Sequence, residues 1–372
     1  MKVAIFGGSF NPVHNDHIKI ANRLVEELSL DKLFIVPTFV APHKQGEEVI
    51  SGEHRLQMLK IAFEGCDKIE VCDYELKKGG ISYSYQTVEH FKHTLSLEKL
   101  YFIVGSDMLE NFPTWKYPER ILKSSSLVLV ERKNGESCDE QSILKINSLF
   151  NASVTRVKVF GETVSSTKIR VYQALGLPLS NLVPSAVESY ILNNSLYKQN
   201  ELYSYVERAL PQKRRVHVAG VILTATSLAK KLGADVKKAE ISALLHDIAK
   251  YENPDNFSDF KLPSETPEDI VHQYLGEYIA RIKLGVLDED VLTAIKYHTT
   301  GRPQMSLLEK IIYVADIIEP SRMFLGVEQL REEIKKDFFQ GFKICLEEIV
   351  DFLLKSGKEV YPLTLDALNY YK

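Results

Sequence analysis

The stretch Gly7-Gly8-Ser9-Phe10-Asn11-Pro12-Val13-His14-Asn15-Asp16-His17 decides how the first half of this chain is read. It follows the apolar run Val3-Ala4-Ile5-Phe6 and leads into a segment with Ile18, Ile20, Ala21, Leu24, Val25 and Leu28 on one face. That pattern predicts a strand, a glycine turn and an amphipathic helix whose first turn carries two histidines. Such a turn lets backbone N–H groups and a helix N-terminus approach a phosphate. His14 and His17 stand three apart and share one helical face. Imidazoles beside a phosphate-binding turn point to nucleotide chemistry at the first strand of an α/β sheet.

Outward from that turn, strand-like and helix-like runs alternate. Strands are expected at Val3–Phe6, Leu33–Val36, Ile69–Cys72, Leu100–Val104, Leu127–Val130 and Val157–Phe160. Helical patterns lie between them, near Ile18–Leu28, His54–Phe63, Tyr85–His93 and Pro118–Leu122. The alternation predicts βαβ units in a doubly wound, mostly parallel sheet, whose ligands bind at the carboxyl ends of the strands. After about Pro184 the strand signal fades. Helices are expected over 218–232 with a stop at Gly233, then at Ala239–Ile248, Ile270–Ile282, Val291–Tyr297, Leu307–Ile318 and Phe338–Leu354. The second half therefore reads as all-α. The polar segment Asn193–Glu201 marks the boundary, giving domains 1–197 and 198–372.

Composition bounds the partners. At 372 residues the chain has room for two domains, and 45% hydrophobic with 26% charged residues is ordinary for a globular protein. A net charge of −4 leaves no basic field to recruit nucleic acid or a membrane, and Lys213-Arg214-Arg215 is too short to overturn that. Cys66, Cys72, Cys138 and Cys345 show no CxxC spacing, so neither a disulfide framework nor a cysteine metal site is indicated. MKVAIFGG reads as a core strand in place of a signal peptide. No segment approaches the roughly 20 apolar residues of a membrane helix. The cytoplasm is the expected location.

Four further features join the glycine turn: Ala41-Pro42-His43-Lys44, Ser82-Tyr83-Ser84-Tyr85-Gln86-Thr87, Gly105-Ser106-Asp107 with Trp115 beyond it, and Ser165-Ser166-Thr167-Lys168-Ile169-Arg170. All fall at strand ends or helix starts. An attacking phosphate and a nucleoside triphosphate repel each other, and holding them in line needs cations and oriented N–H groups with no covalent nucleophile. His17, Lys44 and Arg170 can provide charge or donors. Ser166 and Thr167 can cap their helix or bind phosphate, and Trp115 offers a flat face to a charged ring.

Together these segments closely resemble the nicotinate-nucleotide adenylyltransferase family, over roughly residues 1–197. The resemblance implies transfer of AMP from ATP to nicotinate mononucleotide, giving deamido-NAD and pyrophosphate, with Mg²⁺. By motif position it places Gly8, Ser9, His14 and His17 around the triphosphate and Gly105 and Asp107 at the adenosine. Ser166 and Arg170 fall at the phosphates, Thr87 and Trp115 at the nicotinate, and His43 and Lys44 near the mononucleotide phosphate. One position departs from the family's HxGH motif: Asp16 stands where the motif has glycine. The carboxylate suits a helix start; it is expected to point away from the ligand, so that Asp16→Gly keeps or raises activity.

The second half contains His217, His246, His272 and His298, with Asp247 directly after His246 and Asp316 inside the apolar run Tyr313-Val314-Ala315-Asp316-Ile317-Ile318. A buried carboxylate is costly unless paired or bound to metal. Imidazole and carboxylate donors suit Fe, Mn, Zn, Co or Ni. Six ligands exceed one tetrahedral site and can hold two metals sharing Asp247, which together activate a water and clamp a phosphoryl group. Lys250, Arg214, Arg302 and Arg322 are available for the remaining polyphosphate charge.

The order H…HD…H…H…D resembles the HD-domain phosphohydrolases. The segments RRVHVAGV, LLHDIAKY and YHTTGRPQMSLLEKIIYVADIIEPSR are similar more particularly to the bacterial HD family of symmetrical diadenosine tetraphosphate hydrolases, from about residue 200 onward. That resemblance implies a di-iron centre and cleavage to two ADP. All six ligand positions are matched: His217, His246, Asp247, His272, His298 and Asp316. Around His272, in VHQYLG, only the His and Gly fit the family pattern.

The expected whole is a bifunctional enzyme with ATP, nicotinate mononucleotide and diadenosine tetraphosphate as small-molecule partners, and with self-association into a homo-oligomer left open. Alternatives remain at this level. The first half could prefer nicotinamide mononucleotide or phosphopantetheine. The HD half could be a non-catalytic nucleotide-sensing module, or a phosphatase of other nucleotides.

Overall fold

Six apolar runs become the six strands of one sheet: β1 (Lys2–Gly8), β2 (Lys32–Pro37), β3 (Ile69–Val71), β4 (Lys99–Gly105), β5 (Ser126–Arg132) and β6 (Thr155–Val159). In this computed structural model of the chain the described residues are 1–42, 49–132, 138–159, 164–198 and 200–372, with the side chains of Asp107, Arg132, Cys138 and Asp139 outside the description. The strand order is β3-β2-β1-β4-β5-β6, and every neighbouring pair is parallel. The chain steps outward from β1 to β3, returns to the far side of β1 with β4, and steps outward again to β6. The reversal puts a switch point between β1 and β4, where ligands of open parallel sheets bind beyond the carboxyl ends. Gly7-Gly8 and Gly105 end those two strands.

Burial explains why the strands read as unbroken apolar runs. Val3, Ala4 and Ile5 of β1 are fully buried, and Leu100 through Val104 of β4 are buried on both faces of the sheet. The helix Asn15–Glu27 covers the sheet with Ile20, Ala21 and Leu24.

The chain divides into two units: Met1–Arg170 with Leu179–Tyr197, and Val171–Pro178 with Lys198–Lys372. The second has helices and turns and no strand among its described residues. Its helix Gln212–Leu232 buries Val218, Val221, Ile222, Ala225 and Ala229, and stops at Gly233, whose φ of +71° needs no Cβ to be avoided. The helix Leu307–Ile318 is buried on nearly every side and starts with a capping box, in which Ser306 N–H donates to Glu309 Oε2 (2.7 Å) and Glu309 N–H to Ser306 Oγ (3.2 Å). No helix among the described residues is long and apolar enough to cross a membrane.

Two expected helices differ in a way that matters for the site. The helix expected over Ala239–Ile248 runs from Val236 to Leu245 and ends before the His-Asp pair. Beyond it the chain closes tight turns, with Ile248 N–H donating to Leu245 O and Lys250 N–H to Asp247 O. The helix expected over Ile270–Ile282 is a 3₁₀ turn (Glu268–Ile270), an α-helix (Val271–Tyr278) and a π-helical turn (Ile279–Lys283); π segments are rare and concentrate near functional sites.

Candidate active sites

In the sheet unit, hydrogen bonds fasten the glycine turn to the segment that opens the Ser166–Ala174 helix. Ser166 Oγ donates to Pro12 O (2.8 Å), and Arg170 Nη1 donates to Asn11 O (2.8 Å) while Nη2 donates to Thr167 Oγ1 (3.3 Å). Val164 N–H donates to Asp16 Oδ2 at 2.7 Å, so the carboxylate that replaces the motif glycine holds the approach to Ser166. Asp16 is buried there, and the sequence reading gave it no such occupation. Ser165, one residue before the helix, accepts Lys168 N–H on its hydroxyl (3.1 Å) and takes the capping position.

The two histidines start their own helix as the spacing required. Their rings stack at 3.6 Å between centroids, and His14 N–H donates to His17 Nδ1 (3.2 Å). The turn is supported from below: Thr38 N–H donates to Gly8 O (2.9 Å), and the buried Arg55 donates through Nη1 to Ser9 O (2.8 Å). Tyr197 OH donates to Asn11 Oδ1 (2.9 Å). Arg55 and Tyr197 were not singled out from the sequence, because each reaches the turn across a long sequence separation and neither sits in a motif.

The remaining predicted residues of this unit are placed as follows. Gly105 closes β4 beside the switch point. Trp115 is half-buried against Phe112 (5.3 Å between centroids) and Phe102 (6.2 Å). Thr87 is buried and donates its hydroxyl to Glu75 Oε1 (2.5 Å). Burial pushes the Glu75 carboxyl up, against hydrogen bonds from Thr87 and Ser82. His43 and Lys44 lie outside the described residues, as does the Asp107 side chain.

In the helical unit, side chains from five separate stretches converge on Asp247. His217 comes from the helix Gln212–Leu232, His272 from Val271–Tyr278 and Asp316 from Leu307–Ile318. His246 and His298 stand just past the ends of Val236–Leu245 and Glu289–Lys296. These two imidazoles are held alike: His246 Nδ1 donates to Ala243 O (2.7 Å) and His298 Nδ1 to Ile295 O (2.8 Å). The carbonyls of a last helical turn lack amide partners, so they are free to fix each ring and turn Nε2 inward.

Asp247 divides its oxygens between two groups. Oδ2 lies 3.2 Å from His246 Nε2 and 3.6 Å from His217 Nε2, while Oδ1 lies 3.5 Å from His272 Nε2 and 3.8 Å from His298 Nε2. Asp316 Oδ1 joins the first group, 3.0 Å from His217 Nε2. Two ligands each about 2.1 Å from one ion stand about 3–4 Å apart. The donor set and its spacing therefore fit two divalent cations that share Asp247: His217, His246, Asp247 and Asp316 around one, Asp247, His272 and His298 around the other.

The charge state of two imidazoles and both carboxylates suits that occupancy, while His217 runs the other way: burial pulls its pKa down, but hydrogen bonds with Asp316 and Glu319 push it up overall. Burial and the neighbouring imidazole and ammonium push His272 down to about 3, and burial with His246 pushes His298 down to about 4. Burial opposes ionisation of Asp247 and Asp316, but His246 for the first, and His217, His246 and Arg322 for the second, hold both well below the usual carboxylate range. Neutral imidazoles and ionised carboxylates are the forms that bind a metal.

The cationic residues divide. Arg214 Nη1 pairs with Asp247 Oδ2 (3.0 Å) and Arg322 Nη2 with Asp316 Oδ1 (2.6 Å), each contact using part of a five-donor group. Lys250 Nζ lies 3.3 Å from His272 Nδ1, and burial pushes its pKa down. Arg302 is instead bidentate on Glu309 (2.6 and 3.0 Å), supporting the capping box, and no described contact joins it to the cluster. Two neighbours escaped the sequence reading. Thr299 Oγ1 lies 3.0 Å from His298 Nε2. Glu319, fully buried, accepts His217 Nδ1–H at 3.0 Å.

Comparison with known proteins matches both halves. A cytidylyltransferase-like family profile covers residues 5–171 and an HD domain profile covers residues 214–321. A Mycoplasma genitalium protein named "Probable nicotinate-nucleotide adenylyltransferase/Ap4A hydrolase" is 31% identical over 362 residues, 94% of this chain and 97% of that protein. The symmetrical bis(5'-nucleosyl)-tetraphosphatase of Bacillus subtilis is 39% identical over 179 residues, 46% of this chain and 96% of its own. A Borrelia garinii protein named "Probable nicotinate-nucleotide adenylyltransferase" is 35% identical over 197 residues, 53% of this chain and 95% of its own. With a nucleotidyltransferase sheet followed by an HD helical unit, and a relative aligned along nearly its whole length, the chain belongs to the two-domain nicotinate-nucleotide adenylyltransferase/Ap4A hydrolase family.

Proposed function

We propose that the chain is a bifunctional enzyme. The sheet unit transfers AMP from ATP to nicotinate mononucleotide, giving deamido-NAD and pyrophosphate; the helical unit hydrolyses diadenosine tetraphosphate symmetrically to two ADP. The observation that supports this reading is the pairing of two arrangements on one chain: a laced glycine turn at the sheet's switch point, and an aspartate whose two oxygens face two histidine groups.

In the first site the reacting groups are both anions, so positioning and electrostatics do the catalysis. Gly8, Ser9, His14 and His17 take the triphosphate, and Ser166, Thr167 and Arg170 its other side. Gly105 and Asp107 take the adenosine, Thr87 and Trp115 the nicotinate, and His43 and Lys44 the mononucleotide phosphate. Mg²⁺ accompanies the nucleotide. Arg170 spends one of its five donors on the turn that holds the phosphates, while Ser166 spends its hydroxyl proton there and keeps its main-chain N–H at the helix start for the ligand, so the same residues bind the ligand and set the geometry of its cradle.

In the second site the metals are read as iron. Bound there, two divalent ions supply Lewis acidity toward the polyphosphate and activation of an attacking water. The chain's own part is to orient and neutralise. His246 and His298 are fixed by helix-end carbonyls, and Asp247 joins the two positions. Arg214, Arg322 and Lys250 balance the charge of the two carboxylates and of the incoming phosphates.

Assaying the full chain with each substrate tests both halves. Nicotinate mononucleotide is expected to turn over in preference to nicotinamide mononucleotide. Diadenosine tetraphosphate is expected to give ADP alone; AMP plus ATP, or no reaction in a metal-loaded protein, rejects the second assignment.

A further inference from the structure

Three of the four imidazoles have a fixed Nδ1, but one is fixed by different chemistry. His246 and His298 stand just past helix ends, where unpartnered carbonyls receive their Nδ1–H. His217 lies inside the helix Gln212–Leu232, where the carbonyls are spent on the helix's own amides. No main-chain acceptor is available to it. Its Nδ1 instead meets the carboxylate of Glu319 at 3.0 Å.

Several features of the fold serve that contact. Glu319 is fully buried at the end of the helix Leu307–Ile318, next to Pro320. Ser321 donates to its carboxylate twice, from N–H to Oε2 (2.7 Å) and from Oγ to Oε1 (2.5 Å), and Arg322 Nε lies 3.9 Å from Oε1. On the opposite helix the residue one turn after His217 is Gly220. A Cβ there would stand 2.1 Å from Glu319 Oε2. Glycine is the poorest helix former after proline, and at this position it leaves the carboxylate room against the helix that a side chain would fill.

We propose that Glu319 is a positioning residue for one of the two metal positions: it takes the Nδ1–H of His217, fixes Nε2 toward the cation, and raises the ring's donor strength. This rests on the metal-centre reading given above. A carboxylate acceptor gives a stronger, charge-assisted bond than a carbonyl, and such partners of metal-bound histidine tune affinity. The other position has the opposite neighbour, a cation in place of a carboxylate, because Lys250 Nζ lies 3.3 Å from Nδ1 and 3.4 Å from Nε2 of His272. The position at His217 is therefore the tighter of the two, and the ions load in sequence.

Titration of the metal-free full chain with Co²⁺, read by competition with a chelator and by visible absorption, tests this. The parent protein shows two distinguishable affinities. Glu319→Ala weakens the tighter one by ~10–100-fold and changes its spectrum, while the weaker one moves less than about threefold. Glu319→Gln, which keeps an acceptor oxygen, loses about 3–10-fold. Gly220→Ala, which displaces the carboxylate with every ligand left in place, imitates Glu319→Ala. Unchanged affinity and spectrum in Glu319→Gln together with either other variant overturn the proposal, even where one of them is less stable to heat. Should neither Glu319→Ala nor Gly220→Ala fold, Glu319→Gln decides by itself. His217→Ala separates the two levels: if it retains both ions the metal-centre reading fails, and if it loses one while the Glu319 variants match the parent, only the positioning role fails.

Discussion

In the sheet unit the candidate site is made of turns. Its side chains donate to the main-chain oxygens of Asn11 and Pro12, and main-chain N–H of Val164 and His14 donate to side chains in return. In the helical unit the site is made of buried side chains facing one another: Asp247 with four imidazoles and Asp316 around it. Each arrangement suits what it holds. A nucleotide brings its own charge and leaves again, so the cradle must be satisfied without it. A resident cation allows carboxylates and imidazoles to be packed with little else between them, at the cost of leaving them dependent on the ion.

The contrast predicts that damage stays local, and the largest test is Asp247→Ala. Because both metal groups use this residue, loss of metal is expected at both positions, with hydrolysis of diadenosine tetraphosphate falling at least ~10³-fold while adenylyl transfer stays within about twofold. Metal analysis with both assays on one preparation checks it; a parallel fall in both activities breaks the comparison. Next in size is Arg170→Ala, which removes a cation and the bond to Asn11 O together. A fall of about 10²-fold in kcat/KM for adenylyl transfer is expected, worth ~2.7 kcal/mol, with hydrolysis unaffected.

Metal removal sharpens the same contrast through stability. An ion present at 100 times its Kd contributes about 2.7 kcal/mol to the unit that binds it. Chelation is therefore expected to lower the melting transition of the helical unit by several degrees and to leave that of the sheet unit in place. Calorimetry with and without chelator reads this directly. The smallest effect concerns Asp16. Its bond to Val164 N–H is a charge-assisted one in a buried setting, worth about 1.5–3 kcal/mol. This bond reverses the expectation from the sequence that Asp16→Gly keeps or raises activity: the variant is now expected to reduce kcat/KM for ATP roughly tenfold, with Asp16→Asn retaining most of the rate because its side-chain oxygen still accepts. A glycine variant as fast as the parent would mean that Ser166 and Arg170 hold the 164–170 segment unaided.

Much of this was legible because it is local. All six strands fall where apolar runs were read; the four inner ones are buried on both faces and need no partner's identity to be recognised, while the edge strands β3 and β6 are half exposed and bury only Ile69 and Val157. Two of the helices that escaped, Tyr74–Lys78 and Ser106–Asn111, are too short for a 3.6-residue period to emerge, whereas Cys138–Phe150 and Val327–Lys336 are long enough and were missed all the same. The His246-Asp247 pair was placed inside a helix because the apolar pattern continues to Ile248. His246 Nδ1 bonds to Ala243 O as the helix ends, and tight turns carry the chain onward. Arg302 read as a polyphosphate ligand by charge alone, and its bidentate bond to Glu309 could not be seen without the turn between them.

By itself the sequence determined the order of strands and turns, the residue types at each strand end, and which histidines and aspartates were available to ligate, because hydrophobic period and turn chemistry act over a few neighbours. Only the tertiary structure decided that Asp247 presents one oxygen to each histidine pair, that Asp16 holds Val164, and that Glu319 reaches His217 over the bare surface of Gly220. These contacts join residues 102 and 148 positions apart in the last two cases. No local preference encodes such a meeting. It is fixed by how whole helices and strands pack.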